Sequence, residues 1–266
     1  MSDILSYDNY AKIATEGFEL PYVVELKRKN QKLLFYGSEH INNPEHIQFQ
    51  DIESRWNSFL ASETNPLALV EGRFDEVKVE DTQDRTTSIV AGGEAQFVVH
   101  LARRDSVPVV SPEPELVTEA NKLASEFGED QVVFFYFMRQ LSWWNGFSKK
   151  PDMLKEVTAM LDIMQKSLQW EGVDFSLDRM ETIHQQLFNK QLDLGDIQWI
   201  YDATTPMTQD NVTNVIARRS GELRDEHILQ EVQKHWRQGR SLFLIFGSGH
   251  AVRLEPAVRK LVNALR

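Results

Sequence analysis

Ser241-Leu242-Phe243-Leu244-Ile245-Phe246-Gly247-Ser248-Gly249-His250 is an apolar run closed by Gly-Ser-X-His, and Lys32-Leu33-Leu34-Phe35-Tyr36-Gly37-Ser38-Glu39-His40 repeats the arrangement near the N-terminus. A short run of aliphatic and aromatic residues stopped by glycine predicts a buried strand and a tight turn. Each histidine then falls just past a strand's carboxyl end, the edge that lines the ligand crevice in an open parallel sheet. His40 and His250 are therefore expected in one pocket. Coincidence between two glycine turns is the alternative.

Between these ends the same grammar recurs. Leu20 to Leu26 predicts a strand that hairpins through a charged turn into the strand ending at His40. Asn42-Asn43-Pro44 predicts a helix start, with Ile47, Ile52, Trp56, Phe59 and Leu60 on the buried side and free amides beside His40. Pro66-Leu67-Ala68-Leu69-Val70 predicts the next strand, ending in Glu71. The stretch from Phe74 to Gly92 is polar and without pattern, as in a lid or a mobile loop. Gly92-Gly93 is expected to open a helix on which Glu94 points inward with Phe97, Val98 and Leu101, leaving His100 on the exposed side. Val107 to Glu115 predicts a further strand ending in carboxylates, from which Glu113 reaches the crevice.

Residues from about 116 to 205 have helical patterning with breaks near Gly128, Pro151, Gly172 and Gly195, and are expected to form a helical insertion covering the cleft within a single domain. Its aromatic segment, Phe134 to Phe147 with Trp143 and Trp144, predicts ordinary core; a substrate wall or a homodimer contact is the alternative. His184 carries little signal. A long helix capped by Asp210 follows, with Asp225, Leu229, Val232 and Trp236 on one face. An aspartate on an apolar stripe needs a partner, either a site residue or a backbone amide. Glu255-Pro256 is expected to start the terminal helix.

At 266 residues the chain can bury a large core, and its formal net charge of -11 without a basic block argues against nucleic acid as a partner. The absence of cysteine excludes thiol catalysis and leaves His, Asp and Glu as metal ligands. No stretch approaches a membrane span and no secretory signal is evident at the start, so a cytoplasmic protein without a membrane partner is expected.

If the strand ends share a crevice, His40, Glu71, Glu113 and His250 meet there, with Glu94 and Asp225 approaching from helices. Two imidazoles with carboxylates suit a divalent zinc, manganese, cobalt or iron ion and a water ionising near neutral pH. A metal-free version uses one histidine as base with an acid to orient it. Ser38 and Ser248 do not form the Gly-X-Ser-X-Gly elbow and are expected to be turn residues. Glu39, Arg73 and Glu113, beside the turns, are the residues expected to contact a peptide or small-molecule substrate.

The two Gly-X-X-His turns, Leu69-Val70-Glu71-Gly72, Gly93-Glu94-Ala95-Gln96-Phe97 and Arg224-Asp225 together resemble the TraB/Tiki superfamily, a group similar to the erythromycin esterases and to a haem-binding iron-uptake lipoprotein family. The resemblance spans residues 33–115 and 211–265. It implies an α/β fold with a duplicated core, a mixed and mainly parallel sheet flanked by helices, and the active-site cleft at the Gly-X-X-His turns. It further implies a metal-dependent hydrolase of peptide or amide bonds, with His40, Glu71 and His250 as metal ligands and with Glu94, Arg224 and Asp225 at the other motif positions. Tiki proteins are membrane-attached, and this chain shows no anchor. A metal-independent esterase with His40 as base and Glu71 orienting it, or a non-catalytic binder of haem or a regulatory peptide in the same cleft, are the alternatives.

Overall fold

A computed structural model gives an α/β architecture, and it describes residues 3–72, 84–145 and 152–264. The chain divides into two compact units, one made of the residues up to Glu113 together with those from Asp225 onward, the other of Pro114–Arg224.

The first unit is built on five strands, β1 (Tyr22–Arg28), β2 (Gln31–Ser38), β3 (Pro66–Val70), β4 (Val109–Val110) and β5 (Ser241–Gly247), in the order β1-β2-β5-β3-β4. β1 and β2 form the expected antiparallel hairpin, and every other pairing is parallel. The last strand of the chain is thus the middle of the sheet. All seven of its residues are buried, as a central strand with both faces covered requires.

The alternation of side chains sends Leu34, Tyr36, Phe243 and Ile245 to one face, against Phe49, Ile52, Trp56 and Phe59 of α2 (Ile47–Ser62) and Phe97, Val98 and Leu101 of α3 (Arg85–Arg104). The other face sends Leu33, Phe35, Leu242, Leu244 and Phe246 against α9 (Val212–Arg237), through Ile228, Val232 and Trp236, and α10 (Ser248–Ala264), through Ala251, Leu254 and Val258. Phe243 meets the rings of Trp56 and Phe59 edge-on, at 5.1 and 5.6 Å between centroids. Each such fully buried large side chain contributes about 1.5–3 kcal/mol. Helix α1 (Tyr7–Glu16) completes the unit, capped by the Ser6 hydroxyl.

Several helix boundaries differ from the sequence expectation. Helix α2 begins at Ile47, capped by His46, later than Asn42-Asn43-Pro44 suggests; Ile47 is exposed and Phe49 takes the buried place instead. Helix α3 begins at Arg85, ahead of the start expected at Gly92, because Asp84 accepts the Thr87 amide proton at 2.9 Å; residues 74–83 of the stretch expected to be a lid or mobile loop lie outside the described residues. Gly92 and Gly93 are a kink inside α3 instead of its start. Asn211, not Asp210, caps α9 by accepting from the Asn214 amide at 3.0 Å. Helix α10 follows β5 directly at Ser248, with Pro256 in its interior, where it removes one helical hydrogen bond.

The second unit holds α4 (Leu116–Phe127), α5 (Glu129–Asn145), α6 (Met153–Leu168), α7 (Leu177–Phe188), α8 (Ile197–Thr204) and the first half of α9. Val132, Val133, Phe134, Phe135, Phe137 and Met138 of α5 are its core, while Trp143 is exposed; Phe147 lies outside the described residues. His184 is fully buried among Phe134, Phe188 and Trp199, with Nδ1 2.9 Å from the Lys190 carbonyl oxygen. Among the described residues no helix is long and apolar enough to cross a membrane.

Candidate functional site

The parallel register of β2 and β5 pairs Gly37 with Phe246 and Ser38 with Gly247, so the two Gly-Ser-X-His motifs lie side by side at the carboxyl edge of the sheet, staggered by one residue. The stagger gives them different fates. After Ser38 the strand ends without a helix, and the N–H and C=O of Glu39 are clamped by the Gln48 side chain, each at 2.9 Å. After Gly247 the chain turns straight into α10, and His250 occupies its first turn. Gly37 is required by this packing, because a methyl group there would lie 2.7 Å from the Ala251 Cβ and 2.9 Å from the Tyr22 carbonyl oxygen.

Each imidazole rests on a buried carboxylate through Nδ1. His40 Nδ1 is 2.6 Å from Glu94 Oε1, and His250 Nδ1 is 2.5 Å from Asp225 Oδ1. Glu94 reaches His40 because Gly93, at φ +58°, lets α3 bend against the loop after β2; a methyl group there would lie 2.9 Å from Asn42 Oδ1. The Ser38 hydroxyl, 3.0 Å from Glu94 Oε1 and 3.1 Å from the Phe246 carbonyl oxygen, supports the same carboxylate. Asp225 comes from α9 on the other face of the sheet and is fully buried, with Arg253 Nη1 2.5 Å from its Oδ2. An anion in such a place is stable only when paired. With each Nδ1 on a carboxylate, a neutral ring carries its proton on Nδ1 and its lone pair on Nε2.

Glu71 joins the two. It stands one residue beyond β3, its Oε2 accepts the Gly247 amide proton at 2.7 Å, and its Oε1 is 3.7 Å from His250 Nε2. Gly247 leaves the room for this meeting: a methyl group on it would lie 2.6 Å from His40 Nε2 and 3.6 Å from Glu71 Oε2. His40, Glu71 and His250 thus converge over Gly247. The His40 side chain is 68 % exposed, against 15 % for His250 and 20 % for Glu71, so the site opens on the His40 side.

The donor set has the chemistry of a metal site, with imidazoles oriented by carboxylates and a third carboxylate between them. Two ligands of one tetrahedral ion stand roughly 3.3 Å apart, close to the 3.7 Å between His250 Nε2 and Glu71 Oε1. Among the described residues no three His, Asp or Glu side chains already stand in a ligating arrangement.

The other expected residues fall elsewhere or beside this centre. Glu113 is half-buried, its Oε1 accepting the Gly72 amide proton at 3.4 Å, next to Glu71. The Glu39 side chain is exposed. Arg224 is half-buried on α9 and belongs to the second unit; the cation at Asp225 is Arg253. Arg73 lies outside the described residues. His100, expected on an exposed face, is half-buried and stacked on Phe97 with 6.4 Å between ring centroids. Sequence reasoning missed Arg253 altogether. Its spacing of three from His250 places the two on one helix face, a signal available only if the helix is started at Ser248.

In comparisons with protein-family models, with curated proteins and with solved structures, the chain has no match.

Proposed function

We propose that the protein is a hydrolase that cleaves a peptide or amide bond at the His40, Glu71 and His250 centre, using a divalent metal held by these three side chains. The observation that carries the reading is the pair of imidazoles, each with Nδ1 on a buried carboxylate at 2.5–2.6 Å and both flanking Gly247 and Glu71. The resemblance to the TraB/Tiki superfamily supports the metal-dependent form. A manganese, cobalt, zinc or iron ion bound there would supply Lewis acidity and a more acidic water. The residues do the rest. Glu94 and Asp225 hold the rings so that Nε2 is the free-electron-pair atom. Gly247 lends its amide to Glu71 and keeps that carboxylate beside both rings. Glu94, itself held by the Ser38 hydroxyl, fixes the His40 ring through Nδ1.

A second reading is a metal-independent esterase. The exposed His40 ring on Glu94 is a ready base dyad, which favours it; the orienting acid is then Glu94, not the Glu71 expected from sequence.

The test is hydrolysis of a peptide, amide and ester panel after loading with each metal, with and without chelator, alongside elemental analysis of wild type and of His40→Ala/His250→Ala. Chelator-sensitive amide cleavage and metal lost in the double variant are expected. Ester cleavage indifferent to chelator moves the assignment to the second reading. No turnover that the double variant abolishes, under any loading, removes both.

A further inference from the structure

We propose that Arg253 is a positioning residue that aims His250 through Asp225, and that the segment around Leu5 and Tyr7 belongs to the site because it holds Arg253. Asp225 has two oxygens and two partners: Oδ1 is 2.5 Å from His250 Nδ1, and Oδ2 is 2.5 Å from Arg253 Nη1. With Arg253 on Oδ2, the imidazole has one acceptor and therefore one orientation. The guanidinium is itself surrounded. Its Nε–H donates to the Leu5 carbonyl oxygen at 3.1 Å, and its plane lies over the Tyr7 ring at 3.6 Å from the carbon to the centroid. The Leu5 amide in turn donates to the Arg253 carbonyl oxygen at 2.9 Å. Arg253 is only 3 % exposed and Tyr7 7 %.

The planar fork explains why the residue is arginine. One edge must meet a carboxylate while Nε meets a backbone carbonyl and the face meets a ring, three tasks that a lysine ammonium cannot perform together. A second contact of α1 falls on the same turn of α10: a methyl group on Gly249 would lie 3.1 Å from Tyr10 Oη. The brace reaches only one of the two histidines. The carboxylate behind His40 is supported by a serine hydroxyl instead, which makes His40 an internal reference.

The inference rests on the proposed centre for its catalytic meaning, yet its test needs no turnover. Long-range nitrogen–proton correlation spectra of the histidine rings are recorded for wild type, Arg253→Lys, Arg253→Gln and Tyr7→Leu. In wild type, His250 is expected as a single Nδ1–H tautomer with a sharp, downfield Nδ1 proton. That signal is expected to broaden in Tyr7→Leu and Arg253→Lys and to vanish in Arg253→Gln, while the His40 signals stay put. A merely structural ion pair would lower the melting temperature without this selective loss. A His250 signal as sharp in both Arg253→Lys and Tyr7→Leu as in wild type overturns the proposal, whether or not Arg253→Gln folds. Selective broadening without hydrolysis of any substrate supports the positioning role and counts against the hydrolase reading alone.

Discussion

Ser38 and Gly247 are register partners across β2 and β5, and opposite residues of a parallel pair share a face of the sheet. Ser38 uses that face to reach Glu94, and Gly247 leaves it vacant for the His40 ring. One polar side chain and one missing side chain therefore set the same histidine from two sides.

Gly247→Ala places a methyl group 2.6 Å from His40 Nε2 and 3.0 Å from Cε1. Gly247 has no positive φ, so the backbone accepts alanine and the exposed ring is what moves. A displacement of that size is expected to lower kcat/KM about 10²-fold, with a melting temperature close to wild type. Activity within a factor of two of wild type would show that His40 does not work from its position over Gly247.

Gly37→Ala acts on packing instead. Its methyl group would meet the Ala251 Cβ, the Tyr22 carbonyl oxygen and the Ser248 Cα within 3.0 Å. These are backbone or Cβ atoms that cannot swing away, so overpacking is expected to cost about 1–3 kcal/mol. The measurement is the urea midpoint at constant slope.

The two dyads are expected to differ in stability. Asp225→Asn leaves the Arg253 cation buried without its anion and is expected to destabilise by about 3–5 kcal/mol. Glu94→Gln keeps an acceptor for Ser38 and His40 and is expected to cost about 1–2 kcal/mol. Equal losses in chemical denaturation would argue against Arg253 as the cation paired with Asp225.

These positions were unequally legible in the sequence. His40 and His250 could be found because glycine and histidine recur together after two apolar runs, a pattern that needs no knowledge of strand order. Glu94 and the need of Asp225 for a partner followed from helical period and the cost of a buried charge. The place of β5 between β2 and β3 was hidden, since pairing partners far apart in sequence leave no local trace. Arg253 was hidden for a local reason: Gly247-Ser248-Gly249 has the composition of a turn and Pro256 that of a helix start, which together place the start of α10 after the residues that matter. His184 sits in a polar stretch and His100 on a helix face with Gln96, Arg103 and Arg104, and only tertiary contacts cover them.

His184 should make the protein acid-sensitive. Burial holds its imidazole below the ordinary value of 6.5; the hydrogen bond to the Lys190 carbonyl opposes this in part, and the Lys190 ammonium acts with burial. Above that ordinary value folded and unfolded chains are both neutral at this residue, so it adds no pH dependence. As pH falls through it, the unfolded chain takes up a proton that the folded protein refuses, and stability declines. His235, also lowered by burial, contributes with the same sign. Urea midpoints from about pH 7.5 to about pH 5 should fall less in His184→Leu than in wild type; parallel curves would exclude His184 as a source.

The strand that fills the middle of the sheet is the last to be synthesised. At ribosomal rates, on the order of ten to thirty seconds separate the emergence of Val70 from that of Ser241. During that interval β2 and β3 lack the neighbour that belongs between them, and the space under Trp56 and Phe59 lacks Phe243. Unpaired strand edges and uncovered aromatic surface are what nascent-chain chaperones bind and what aggregates form from. The same ordering is a safeguard: a ribosome that stalls before Ser241 releases a chain with neither a continuous sheet nor His250, so no partly made product can bring His40, Glu71 and His250 together.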